Sequence, residues 1–360
     1  MREIQAAALN EASRLGATYC DVRIVTTKTQ SIGVKNGEVD VLTSREDAGL
    51  GVRVLFGGTW GFACNNLFDI KEAVKVAAMA VEIAKASVAT LRTPVSLTDL
   101  KPVEDVFTSA YKIDPFSVPI EDKIGLLLEI DKILKDDKRI AVAQSNTFCQ
   151  RNQTYFSSSE GAKIYQDILE TGAGCSATAI EGDLVERRSF PNSMGGQSAT
   201  RGWELVSEMS LPKNAAQARD EAIALLTAPI CPSGAKTIII DGTQLALQIH
   251  ESIGHPIELD RMLGMEASFA GTSFVKPEML GNYRYGSDVV NVTADATIPG
   301  ALGSFGYDDE GVPAQKTNII KDGILLNVLS SRETAGQLKQ TSNGTMRADG
   351  WNRIPLIRMT

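Results

Sequence analysis

At 360 residues, with 43% apolar and 22% charged side chains, the chain is long enough for two folded units that each bury a core without disulfide or metal staples. That balance is near the globular average and excludes disorder, collagen and coiled coil as its main character. A formal charge of −8 repels phosphate on average. No run of Lys or Arg supplies the basic patch that nucleic-acid binding requires, so no nucleic-acid partner is expected.

The opening MREIQAAALNEASRLG carries charge and helical periodicity where a secretory signal needs a continuous apolar stretch. A cytoplasmic location is expected. No run of about 18 apolar residues offers a membrane span. Cys20, Cys64, Cys149, Cys175 and Cys231 are odd in number and never spaced C-x-x-C, which argues for reduced thiols and against a disulfide framework or zinc ribbon.

Ile4, Ala8, Ala12 and Leu15 recur at helical spacing ahead of Gly16. Residues 20–65 read as antiparallel strands turned at Asn36-Gly37 and Gly57-Gly58, where glycine supplies the positive φ of tight hairpins. Asp69 to Glu72 has the capping-box spacing, and Val74, Ala77, Val81 and Ala84 continue as one helical face. Pro94, Pro102, Pro115 and Pro119 interrupt regular structure, so 88–119 reads as a connector. The same grammar then returns: a helix over 120–135, strands over 140–188 and a helix over 215–226. Gln30–Gly37 with Glu46–Gly49 is similar to Gln153–Gly161 with Glu170–Gly172, so an internal duplication and a chance likeness of two β-rich stretches are both open.

Pro229 to Gly234 marks the boundary between an N-terminal domain, 1–228, and a C-terminal one, 229–360. Thr237–Ile240 reads as a short buried strand and Asp241 as a helix cap. Leu245, Ile249 and Ile253 give that helix an apolar stripe. Strands are expected at 289–293, and at 315–320 paired with 324–330 through Asp322-Gly323. The fold class is therefore α+β: two domains with largely antiparallel sheets and packed helices.

The chain has only two histidines, His250 and His255, five apart, with Glu251 after the first. A lone histidine is usually a satisfied core or surface residue; a sole pair beside a glutamate points to metal ligands. Five residues on an ideal α-helix rotate by about 140°, which would turn the imidazoles away from each other. Gly254 and Pro256 can loosen or end the helix between them, and a one-residue π-bulge would also bring them together. Glu251 stays near the metal without having to bind it, where it can serve as general acid and base for hydrolysis.

At this motif the sequence resembles the TldD/PmbA family of metalloproteases, once described as modulators of DNA gyrase. Gly49-Leu-Gly-Val-Arg-Val54 with Gly58-Thr-Trp-Gly-Phe-Ala63 is similar to its N-terminal strand pair. Ser268–Gly271, Gly303–Gly311 and Arg353–Met359 resemble its C-terminal blocks. Only TldD-type members carry the histidine motif, so the chain resembles the catalytic type. The resemblance implies a Zn2+-dependent peptidase with metal ligands His250 and His255 and catalytic Glu251, working on unfolded peptides with broad specificity as a homodimer or with a PmbA-like subunit. Extended peptides would bind by adding a strand to a sheet edge. The family's third ligand, a cysteine near the C-terminus, falls beyond Thr360, so the chain is expected to stop inside the metalloprotease domain. Zinc would then have two imidazoles where catalytic sites supply three protein ligands, with Glu258 and Asp260 the nearby carboxylates that could substitute. Asp308 to Glu310 either lines the cleft or forms an acidic turn.

Two enzyme readings fail on the residues. Gly49 and Gly51 are followed by Val54 where a dinucleotide fingerprint needs its third glycine, and no serine sits in a Gly-x-Ser-x-Gly elbow. The alternative to a peptidase is a non-catalytic family member that binds peptides or a partner subunit. Regulation of gyrase by direct contact finds no basic footprint.

Overall fold

The computed structural model describes residues 1–359. Helix α1 (Arg2–Arg14) leads into two long strands, β1 (Tyr19–Lys35) and β2 (Glu38–Phe56), then β3 (Thr59–Asn65) and α2 (Ile70–Ser87). Asn36, Gly37, Gly57 and Gly58 all have positive φ, so both expected hairpin turns form as their residues dictate. Asp69 caps α2 by accepting from the Glu72 N–H at 2.8 Å. The expected connector contains a strand that the prolines concealed, β4 (Glu104–Thr108).

After it come α3 (Ile120–Leu134), β5 (Ile140–Ser158), β6 (Lys163–Glu181), β7 (Leu184–Phe190) and β8 (Gln197–Ala199). Helices α4 (Glu204–Met209) and α5 (Leu211–Leu225) complete this half. One sheet runs β3-β2-β1-β5-β6-β4, with β7 and β8 also pairing with β6; every pair is antiparallel except β4 with β6. Strands of 19 residues make ribbons about 60 Å long, too long for one helical layer to cover. Two cores share the sheet accordingly. Val22, Ile24 and Leu50 pack under α1 and α2, while Ile32, Ala143 and Ala177 pack under α3 and α5.

The second half contains α6 (Gly242–Ile249), α7 (Leu259–Met262), β9 (Val292–Asp295), β10 (Lys316–Lys321), β11 (Ile324–Leu325), α8 (Arg332–Gln337), β12 (Met346–Arg347) and β13 (Leu356–Ile357). Its core is Leu259, Val275, Ile319, Leu325 and Leu329. The strand expected at 289–293 lies three residues later, and the one expected at 324–330 is only two residues long. Thr237–Ile240 departs from expectation altogether: it forms no strand, and Ile239 is fully exposed. A strand needs a neighbouring edge to bond, and no described strand lies beside this segment. Helix α6 has no buried residue either: of its expected apolar stripe Leu245 is exposed, and only Ile253, beyond the helix end, packs against the C-terminal core.

The halves are joined through buried charge. Arg53, 3% exposed, donates to Asp21 at 2.7 and 2.9 Å and reaches Glu310 at 3.3 Å. Burial works against the guanidinium's charge, but Asp21 and Glu310 outweigh it and raise its pKa. The second Glu310 oxygen accepts from the Arg332 backbone N–H at 2.7 Å, and the Arg332 guanidinium binds Glu160 and the Thr98 carbonyl. The acidic run at 308–310 is thus both a turn and a clamp: Asp308 caps its own turn through the Glu310 and Val312 N–H groups. Trp351 lies against Gly49, where a Cβ would come within 2.2 Å of its ring, so that glycine is required by close approach.

Removing one member of a buried ion pair strands the other in low dielectric, typically at a cost of about 3–5 kcal/mol. Arg53→Ala should lower the unfolding free energy by that order and the urea midpoint with it, and a midpoint within error of wild type would show that the clamp carries no stability.

Candidate metal centre

Helix α6 ends at Ile249, and residues His250–Gly254 form a π-turn in which the His255 N–H bonds to the His250 carbonyl. A five-residue bond stacks residues five apart, which the α-helix would have set about 140° from each other. The His250 and His255 rings lie 4.6 Å apart between centroids at 84°. Of the two remedies offered by the sequence, the fold uses the π-turn inside the motif; the chain leaves helical geometry only after His255–Ile257, a 3-10 turn. Gly254 is held close by Met359, whose Sδ a Cβ there would meet at 2.3 Å. The Tyr285 hydroxyl donates to the Ser252 carbonyl, the Leu259 N–H donates to the Leu329 carbonyl at 3.0 Å, and the Leu329 N–H donates to the Ile257 carbonyl at 2.9 Å.

One ligand atom each from His250, Glu251 and His255 lies within 4.8 Å of the others, and this is the one His/Cys/Asp/Glu group of three or more at such spacing among the described residues. None of the five cysteines belongs to it. The His250 side chain is 47% exposed and Glu251 more so, whereas His255 is largely covered. Glu258 and Asp260, considered above as substitute ligands, are engaged elsewhere. The Glu258 carboxylate is buried, with one oxygen 3.1 Å from His255 Nδ1 and the other accepting from Arg261 Nε. Arg261 in turn donates to the Ala270 carbonyl. Asp260 accepts from the Arg261 and Ile357 N–H groups at 2.8 and 3.1 Å.

This donor set fits a divalent cation of the zinc type. The Glu258 carboxylate and the Arg261 Nη2 each approach His255 Nδ1 at 3.1 Å, and such partners hold a ligating histidine in orientation. The orienting pair was missed in the sequence, although Glu258 and Arg261, three and six residues past His255, carry the signal as one more charged pair on the turn that follows. The adjoining pocket encloses about 510 Å³ and includes Ile253, the β9 residues Val292–Ala294, Leu302, Gly303 and Arg347. Strand β9 ends its sheet, so its outer edge has no strand partner among the described residues, and Val292–Ala294 of that strand line the pocket.

A helix-borne His-Glu pair, a second histidine brought back by a π-turn and an oriented imidazole on an α+β scaffold define a chain of metallopeptidase type. Family models agree: the PmbA/TldA metallopeptidase domain 1 matches residues 20–84, the central domain 113–226 and the C-terminal domain 233–360. A metalloprotease of Methanocaldococcus jannaschii is 34% identical over 344 residues, covering 95% of this chain and 72% of that protein. A protein of Saccharolobus solfataricus named as a zinc metalloprotease TldD homolog is 22% identical, covering 98% and 73%. The fold of TldE from Thermococcus kodakarensis superposes with a TM-score of 0.66 at 15% identity, covering 99% of this chain and 76% of that one. The chain belongs to the PmbA/TldD metallopeptidase family.

Glu258→Gln should weaken Zn2+ binding about 10–100-fold, read by competition with a chromogenic chelator; an unchanged affinity would remove Glu258 from any orienting role. Asp260 supplies a pH test. Burial, with Glu258 and Glu266 adding to it, pushes its pKa up to about 6 against the two backbone N–H bonds. The folded state therefore holds a proton that the unfolded chain has lost at pH values between about 4 and 6. This contribution is fully present below about pH 4 and disappears as pH rises through 6, a span of order 3 kcal/mol. The urea midpoint of Asp260→Asn should gain on wild type between pH 4 and pH 7; parallel profiles would sink the assignment.

Proposed function

We propose that the chain is a Zn2+-dependent peptidase that hydrolyses unfolded peptides with broad specificity, with His250 and His255 as metal ligands and Glu251 as the catalytic base. The observation that carries this reading is the π-turn, which gathers the chain's only two histidines and Glu251 within ligand distance beside the unpaired edge of β9. Zinc is favoured by the two imidazole donors and by the name of the Saccharolobus relative.

When bound, the ion would supply Lewis acidity, polarising a peptide carbonyl and making water easier to deprotonate. Glu251 is exposed and so open to substrate and solvent. Its carboxylate takes the proton of the attacking water as the new C–O bond forms, and returns it to the amine nitrogen as the C–N bond breaks. His255 is held in register by Glu258 and Arg261. An extended peptide can bond its main chain to the β9 edge, a mode that ignores side-chain identity and so suits broad specificity. A broadly specific site needs enclosure, and pairing with a second copy or a PmbA-like subunit would provide it.

Glu251→Gln should abolish peptide hydrolysis, by at least a hundredfold, while zinc content stays near wild type; His250→Ala and His255→Ala should lose both. Loss of metal in Glu251→Gln as complete as in the histidine variants would reassign Glu251 as a ligand. Zinc-loaded protein that binds peptides without cutting them would favour the non-catalytic binding member. Light scattering at micromolar concentration should show a dimer, alone or with a PmbA-like subunit, and a monomer under both conditions would count against enclosure.

A further inference from the structure

Alternate residues of the long strands face opposite sides of the sheet, and the side away from the helices is polar. Thr27, Thr29, Gln150, Asn152, Thr154 and Gln166 line it. Their register sets them in rows: Asn152 lies opposite Thr27 on β1, Gln150 opposite Thr29, and Thr154 opposite Gln166 on β6. The loops at 302–309 and 347–352 roof this floor and leave a groove of about 510 Å³. Leu302, Gly303 and Arg347 line both the groove and the pocket of the histidines, so the two spaces adjoin.

The lining carries no net positive charge, since its three arginines are outnumbered by five carboxylates. The Arg23 guanidinium is matched by Asp309 at 3.5 Å, and Asp47 accepts from Trp351 Nε1 at 2.8 Å. What is left over is hydrogen-bonding capacity. Thr27 donates to the Asn152 carbonyl oxygen at 2.8 Å, which frees the Asn152 –NH2. Thr29, Gln150 and Thr154 have no side-chain hydrogen bond among the described residues. Half-buried amides and hydroxyls of this kind are costly unless water or a ligand satisfies them.

We propose that this groove is the substrate track, taking the main chain of an extended polypeptide across the sheet face to the candidate metal centre. The inference rests on the peptidase reading and deepens it. A polypeptide main chain is neutral and presents alternating N–H and C=O groups, which amide and hydroxyl side chains match whatever the peptide's sequence. A polyanion would find no net positive charge here. The floor spans four strands, about 15 Å, or some four to five extended residues.

The test separates binding from turnover. In a Glu251→Gln background, anisotropy of a fluorescein-labelled unstructured peptide of about 12 residues gives a Kd. Asn152→Trp and Gln150→Trp fill the groove at two independent points and should each raise that Kd at least tenfold, with zinc content and thermal midpoint unchanged. If either tryptophan variant fails to fold, Thr29→Val with Gln150→Leu removes hydrogen-bonding groups at constant bulk and should weaken binding several-fold. In the Glu251 background, an unchanged Kd in the folded variants, no peptide binding at all, or displacement of the peptide by a neutral oligosaccharide at lower concentration than by unlabelled peptide overturns the proposal. Failure of the wild-type chain to cut any peptide sinks the peptidase reading, while the anisotropy series still decides the groove.

Discussion

The arrangement of this protein depends on a buried carboxylate between two arginines. Glu310, from the C-terminal half, receives Arg53 of the sheet on one oxygen and the Arg332 backbone N–H on the other. Two charges removed from water repel every arrangement that leaves them unpaired. The observed seating of the C-terminal half on the sheet satisfies Arg53, Asp21 and Glu310 together. The close contact of Trp351 with Gly49 locks the same interface by shape. Because of this seating, the polar face of the sheet and the pocket of the histidines lie side by side, with Leu302, Gly303 and Arg347 lining both.

Within the C-terminal half, a local irregularity does the chemical positioning. A regular helix would have separated His250 from His255, and the π-turn brings them together with the geometry held from outside: Tyr285 on the Ser252 carbonyl, Met359 against Gly254 and Leu329 beside Ile257. Glu258 and Arg261 then orient one ring while the other stays exposed toward the pocket. In the proposed function the held imidazole and open Glu251 are complementary requirements, since a ligand benefits from rigidity and a proton-transfer group from access.

The elements that the sequence made legible are those set by local chemistry. Asn36-Gly37 and Gly57-Gly58 specify hairpins by positive φ, and Asp69 specifies a helix start. Those that it hid depend on neighbours. Strand β4 joins β6 through parallel pairing after a proline-rich stretch, and Thr237–Ile240, written as a buried strand, is left exposed because no edge meets it. Arg23, Arg332 and Lys123 are almost wholly buried, which no single-sequence pattern distinguishes from surface charge.

For the candidate site the division is equally clear. By itself the sequence determined the donor chemistry: two histidines and a glutamate, a spacing incompatible with a plain α-helix, and flexible residues able to relieve it. It also determined the family, through blocks spread along the chain. Only the tertiary structure decided that a π-turn is the solution, that Glu258 orients His255 where it had been considered as a ligand, and that Asp260 turns to the backbone of Ile357. The reason is physical: residue identity and short-range backbone preference are local properties, whereas the partner of a buried carboxylate is chosen by whatever the folded chain brings within hydrogen-bonding reach.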